Sequence, residues 1–349
     1  TKNAAMIAAC LVDDLPDDDK NVLISTSTFG GEPYTKLERM NVYNGQRQVV
    51  ARAPVRNASF RTDNQGEVRF AVGSDTDNIS KLYYRESNES EWKLVNDEGV
   101  TGIIEYPIGF STDNRTAYLL SEQASGPDVV VVYDVATGKR TTALADPAMS
   151  PHDILYRPGT KVPIGALYVD GKPRMAFFDE GSEDARLFRS LGAAFGDGAA
   201  VVTSSTADGK LNLVNSYSGQ NPGDYYLFDS AAKKATHVVS QAQWIDPAAM
   251  SPMRAIQFTA RDGLAIKGYL TVPKGASGKN MPMVVLPHGG PFGISDQWGY
   301  DQEVQLLASA GYAVLQVNFR GSGERGRKFE HAGATQWGGT MQDDVTDAT

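Results

Sequence analysis

Short runs of β-favouring residues recur through about the first 245 residues, each followed by a polar turn. Leu37–Tyr43 precedes Asn44-Gly45, Lys81–Arg85 precedes Ser87-Asn88, and Val129–Val135 precedes Thr137-Gly138. Two further copies are Arg174–Asp179 before Gly181-Ser182 and Tyr225–Asp229 before Ala231-Ala232. The turns fall near residues 44, 88, 138, 181 and 232, a period of about 40–50 residues. The motif Phe60-Arg61-Thr62-Asp63-Asn64 returns 50 residues later as Phe110-Ser111-Thr112-Asp113-Asn114, and Leu15-Pro16-Asp17-Asp18-Asp19 lies 45 residues before the first copy. Asn44-Gly45 and Thr137-Gly138 provide the positive φ that tight hairpins need. A four-stranded unit of this period hides one sheet face against its neighbour, so the copies stabilise one another. The pattern predicts a β-propeller with five visible blades; two packed β-sandwiches or an unrelated five-bladed propeller are the alternatives.

At 349 residues the chain has room for two cores. Its 41% hydrophobic and 21% charged residues suit an ordinary globular protein. The net charge of -9 and pI near 5.0 argue against nucleic acid as a partner. Cys10 is the only cysteine, so no disulfide can form within the chain. That fits a cytoplasmic protein and equally a large periplasmic one. Flanked by Ala9 and Leu11, Cys10 is expected to be a small buried core residue. No run of eighteen apolar residues exists, so no membrane span is expected. Met6–Val12 is too short for a signal peptide and lacks a basic flank, although a chain starting at Thr1 is compatible with a missing upstream segment.

Trp244–Pro252 ends the periodic region, which places a domain boundary between 1–250 and 251–349. Arg254–Pro273 reads as a hairpin turning at Asp262-Gly263. Met283–Leu286, closed by Pro287, suits a short buried strand. Val304, Leu307 and Ala308 then recur at helical spacing, with Gly311 placed to stop the helix. Ala313–Phe319 is a second buried strand. Strand, helix and strand with short connections predict a parallel crossover.

Three motifs stand in order on this frame: His288-Gly289-Gly290-Pro291 at the end of the first strand, GYAVLQVNFRGSG over 311–323, and QWGGTMQDDVTDA over 336–348. Together they resemble the hydrolase domain of the prolyl oligopeptidase family of serine peptidases, and its acylaminoacyl-peptidase-like branch most closely. The resemblance implies the N-terminal portion of an α/β-hydrolase domain behind a propeller of about seven blades, which leaves about two blades upstream of Thr1. It also implies hydrolysis of short peptides through an acyl-enzyme, with the propeller limiting access. In this family a Gly-x-Ser-x-Gly elbow follows the stretch matching Gln342–Val345, and the acid and histidine come later. No such elbow occurs in the chain, so nucleophile, acid and base are expected beyond Thr349, and the chain alone is expected to be inactive.

The resemblance puts one oxyanion donor on the main-chain N–H of Gly290 or Gly289, where a side chain would crowd the carbonyl. Without the flanking motifs the same glycines read as a plain turn. Pro291 and Phe292 are the adjoining substrate-binding candidates. His288 is expected to order the loop rather than act as base, and Arg320 to pair with a carboxylate or carbonyls near the site. Asp343 and Asp344 fall at the start of an expected helix with Thr340 as N-cap, where the helix dipole explains them without catalysis.

No metal is expected, since His152, His237 and His331 show no ligand spacing with one another or with Cys10. The acidic cluster Asp13, Asp14 and Asp17–Asp19 lacks the glycine and glutamate of a calcium loop, and reads as a solvated turn between blades. Gly321–Gly326 fits the dinucleotide pattern Gly-x-Gly-x-x-Gly, but a turn-rich stretch follows where a helix and strand should stand, so no cofactor is expected.

The expected partner is a short peptide substrate, and a homo-oligomer is compatible with the sequence. No Glu-Glu pair occurs, which disfavours an amino-terminal clamp of the dipeptidyl-peptidase-IV kind and favours oligopeptidase or acylaminoacyl-peptidase activity. The rival readings are a non-enzymatic propeller binding a protein or peptide, and an esterase or lipase of the same hydrolase fold.

Overall fold

The structure, a computed structural model, describes residues 6–29, 34–196, 198–290 and 292–349. Each recurring unit becomes an antiparallel sheet whose strands pair in sequence order. The first sheet holds β1 (Ile7–Asp13), β2 (Asn21–Thr28), β3 (Lys36–Asn41) and β4 (Arg47–Arg52). The second holds β5 (Ser59–Thr62), β6 (Val68–Ser74), β7 (Ser80–Tyr84) and β8 (Lys93–Asp97). One helical turn, α1 (Glu98–Thr101), leads to the third, made of β9 (Ile104–Phe110), β10 (Thr116–Glu122), β11 (Val129–Asp134) and β12 (Arg140–Leu144).

The fourth unit departs from the pattern. After β13 (Asp153–Tyr156), β14 (Pro163–Tyr168) and β15 (Arg174–Phe177) comes a helix, α2 (Glu183–Ala194), in place of a fourth strand. Gly181-Ser182 is therefore not a hairpin turn. Ser182 is the N-cap, accepting the Ala185 N–H, and Ala185, Phe188 and Leu191 form the buried stripe. The fifth sheet is regular again: β16 (Ala199–Ser205), β17 (Leu211–Tyr217), β18 (Asp224–Asp229) and β19 (Lys234–Ser240).

By compactness the chain divides in two. One unit comprises Thr1–Ala124, Val129–Ala143 and Lys161–Pro163; the other comprises Ser125–Asp128, Leu144–Thr160 and Ile164–Thr349. In the first, alternating residues of the second and third sheets share one core: Phe70, Leu82, Tyr84, Phe110, Leu119 and Tyr133. The Phe70 and Phe110 rings lie 5.5 Å apart. Polar ties accompany this packing. Asn64 Nδ2 donates to the Ser111 carbonyl at 2.8 Å and to Asn114 Oδ1 at 2.7 Å, so the repeated motif fastens its own copies together. Asp13 is tied in the same way by Thr62 Oγ1 and Lys161 Nζ. It is 3% exposed, not solvated as the acidic cluster suggested. Burial opposes its charge, but Lys161, Thr62 and the Leu15 N–H together hold its carboxyl below the usual range.

Cys10 also corrects the expectation, for it is exposed. It lies on β1, an edge strand of its sheet, where Ile7 and Leu11 are exposed with it.

The second unit contains the fourth and fifth sheets and a mixed sheet of different design. β20 (Met253–Thr259) and β21 (Ala265–Thr271) form the expected hairpin, and β22 (Met283–Val285) runs parallel to β23 (Ala313–Asn318) through the crossover helix α3 (Gln302–Ser309). The sheet order is β20-β21-β23-β22, with Tyr269 opposite Gln316 and Val285 opposite Leu315. Central β23 is buried, whereas β22 is an edge strand and Met283 is 39% exposed, so only the second of the two predicted buried strands is buried. One face packs Ile266, Leu315, Val317 and Phe319 against Phe329 of α4 (Arg327–His331) and Met341 of α5 (Thr340–Asp347).

Candidate functional site at the ends of the parallel strands

Because β22 and β23 are parallel, the loops that follow them leave the sheet at the same end, where open α/β sheets bind ligands. The two loops interlock. The His288 ring stacks on Phe319 with centroids 4.7 Å apart and planes 11° apart. The Gly293 N–H donates to the Gly321 carbonyl, and the Gly323 N–H to the Ile294 carbonyl, each at 3.1 Å. His288 Nδ1 lies 2.9 Å from the Gly289 carbonyl and Nε2 lies 2.9 Å from Ser322 Oγ. A carbonyl only accepts, so Nδ1 carries a proton, while Nε2 shares a hydrogen bond with the Ser322 hydroxyl. Both ring nitrogens are thus engaged.

This frame fixes the glycine bend. Gly289 and Gly290 are exposed, and neither amide donates to another described residue. Gly290 has φ 137°, and a Cβ there would stand 3.1 Å from Ile294 Cγ1 and 3.3 Å from the Phe292 nitrogen. Glycine is required at that position by both conformation and space. A Cβ on Gly289 would meet nothing within 4 Å. Pro291 lies outside the described residues. Phe292 is 38% exposed, with one ring edge over the Gly321 turn.

Arg320 follows Phe319, on which the His288 ring stacks. Its Nε and Nη2 reach the two oxygens of Asp344 at 2.8 and 2.6 Å, and Nη1 reaches Asp262 Oδ2 at 2.7 Å. These hydrogen bonds, Asp344 first, raise the guanidinium pKa further above its already high value. The pairing ties the segment after β23 to α5 and to the β20–β21 turn. Asp344 is fully buried, and that arginine rather than the helix dipole explains its place. Asp343 and Asp347 pair with Arg261. Thr340 is not the N-cap of α5. Gly339 is, without a side-chain bond, while Thr340 is the first helical residue and donates to Gln336 Oε1. Gly321–Gly326 forms the turn between β23 and the five-residue α4.

Sequence reasoning missed a second polar group beside these loops. Glu324, at φ 66°, accepts from Gln297 Nε2 at 2.7 Å and pairs with His152 Nδ1 at 2.5 Å. The hydrogen bond to Glu324 leads the causes that raise the His152 pKa. The two residues are 172 positions apart, and no local pattern marks them as partners.

Residues 298–349, covering α3, β23, α4 and α5, match the prolyl oligopeptidase family. A longer match, 29% identical over 323 residues, joins the chain to dipeptidyl aminopeptidase BIII of Pseudoxanthomonas mexicana, covering 89% of this chain and 46% of that protein. Both matches make the chain similar to the prolyl oligopeptidase family. Dipeptidyl peptidase family member 6 of Caenorhabditis elegans is 27% identical over 83% of the chain and 43% of its own length. A solved prolyl endopeptidase superposes with TM-score 0.70 at 16% identity, covering 97% of this chain and 50% of that one. The chain therefore spans about half the length of the proteins it matches, or slightly less. The fold is that of such solved structures, a β-propeller followed by the N-terminal part of an α/β-hydrolase domain. Among the described residues no helix is long and apolar enough to cross a membrane.

Proposed function

We propose that this chain supplies propeller blades and the first part of the hydrolase domain of a serine-type peptidase that cleaves short peptides through an acyl-enzyme. The observation that carries this reading is the bend at Gly289 and Gly290, whose exposed amides make no hydrogen bond to another described residue and are braced by interlocked loops. Donors held ready by a rigid frame are what a developing oxyanion requires. Gly290 is the donor in this reading, Pro291 and Phe292 border the substrate, and the propeller limits access to short peptides. His288 braces the bend, because its ring nitrogens are already engaged. No Gly-x-Ser-x-Gly occurs in residues 1–349, so nucleophile, acid and base come from outside them. A preparation of mass 37.6 kDa is accordingly inactive toward a peptide nitroanilide, and turnover by it would sink this part of the reading.

The sequence relatives are named as a dipeptidyl aminopeptidase and a dipeptidyl peptidase. Those names favour release of dipeptides over the oligopeptidase or acylaminoacyl-peptidase activity suggested by the absence of a Glu-Glu pair. In the complete enzyme, dipeptidyl nitroanilides with free and acetylated amino termini separate the two, because only dipeptide release needs the free amine. For the oxyanion role, Gly290→Ala is expected to lower kcat about 100-fold. Gly289→Ala, whose Cβ enters open space, retains most of the activity. Equal kcat in the two variants would remove Gly290 from that role.

A further inference from the structure

Asp296 lies in the loop between Gly290 and α3, against one face of β23. Strand side chains alternate, so Gln316 and Asn318 stand on the same face, and both hold Asp296. Asn318 Oδ1 accepts the Asp296 N–H at 2.8 Å, and Asn318 Nδ2 donates to the Asp296 carbonyl at 3.0 Å. Gln316 Nε2 donates to Asp296 Oδ1 at 2.9 Å. Main chain and carboxyl are thereby clamped to the strand. Two oxygens are left over. Asp296 Oδ2 and Gln316 Oε1 are both buried, and neither has a hydrogen-bond partner among the described residues. An ionised carboxylate offers no remedy, since it can only accept, as Oε1 does.

One added proton, shared between them, would satisfy both atoms. We propose that Asp296 is the neutral acid in the folded chain, its Oδ2–H donating to Gln316 Oε1, so that acid and amide close a ring of two hydrogen bonds. Asp296 is then a positioning residue: it fastens the loop that begins at the glycine bend without adding a buried charge beneath it.

The surrounding charges are consistent with this state. Lys267 on β21 is spent on Asp170 at 2.6 Å, and Arg325 donates to the Ala265 carbonyl at 2.7 Å. Glu324 is occupied by His152 and Gln297. Tyr269, opposite Gln316, is buried, and that burial pushes its phenol up to about 12, so it is neutral. Burial is the leading cause that pushes the Asp296 carboxyl up; His288 acts against it and Asp301, the N-cap of α3, acts with it.

The inference does not depend on the peptidase reading, and its test needs no activity. Asp296→Asn replaces the O–H donor with an N–H and can keep both bonds of the ring. Carbon-13 NMR of the chain labelled at aspartate Cγ is expected to show one signal at the protonated shift at neutral pH, absent from Asp296→Asn. Stability supplies a second readout. A carboxyl whose folded pKa is raised contributes fully below its unfolded value of about 4, and loses that contribution as pH rises toward the folded value. Asp296→Asn has no such loss. Its folding constant relative to the natural chain is expected to rise by up to about tenfold per pH unit across that window. If every aspartate signal sits at the ionised shift at neutral pH, as for a carboxylate bridged by water, the proposal is overturned whether or not the variant folds. A stability difference independent of pH overturns it as well.

Discussion

Arg320 is 7% exposed and Asp344 is fully buried, so each depends on the other for the solvation it lost. Removing one partner of such a pair leaves an uncompensated charge inside the protein. Asp344→Asn is expected to destabilise the second unit by about 3–5 kcal/mol, read from the denaturant midpoint. The His152–Glu324 pair is only part-buried, and its effect is one of pH. Its histidine pKa is raised in the folded state, so the pair stabilises fully below the unfolded value of about 6.5 and loses that contribution as pH rises through the folded value. The stability difference between the natural chain and Glu324→Gln should therefore be largest in mild acid and shrink toward alkaline pH; an unchanged difference would dissociate the pair from folding. Cys10 gives the plainest check at this scale. Being exposed, it should react with a thiol reagent without denaturant, one equivalent per chain. What the sequence conveyed at the scale of residues was their neighbourhood along the chain. The glycine bend was legible because its motif is contiguous. Asp344, 24 residues from Arg320, was visible only as an acid near a helix start, and the dipole offered a sufficient but mistaken reason for it.

At the scale of elements, the hairpins were legible because strand alternation and turn chemistry are local, and both strands of the parallel crossover fell where the apolar runs put them. The fourth unit was not. Gly181-Ser182 fits a hairpin turn and a helix start equally well, and the period of the flanking units favoured the hairpin. The helical signal was nonetheless present: Ser182 as cap, Glu183 and Asp184 in the first turn, and apolar residues at 185, 188 and 191. Ser182→Ala leaves the Ala185 N–H without its partner and should cost about 1 kcal/mol, measured by thermal unfolding. No change in midpoint would mean that packing of Phe188 and Leu191 alone sets the helix.

At the scale of the whole chain, two edge strands differ from the interior ones. Six of the seven residues of β19 are exposed, with Val238 56% and Val239 45% exposed and Trp244 beyond them at 82%. β1 exposes Ile7 at 43% and Leu11 at 65%. Unpaired apolar edges of this kind invite association between copies. The 349-residue chain should therefore self-associate with rising concentration in sedimentation or light scattering, and Val238→Lys should weaken the association without lowering the midpoint of unfolding. A chain that stays monomeric at high concentration would show these edges to be harmless. The bond between Asn64 and Asn114 has a different reach. Donor and acceptor occupy the same place in two copies of one motif, so a blade that is duplicated carries half of a latch for each neighbour. Inheritance of the two positions is thereby coupled: drift at either one loosens a joint shared by two blades, and the pair should change together across relatives or not at all.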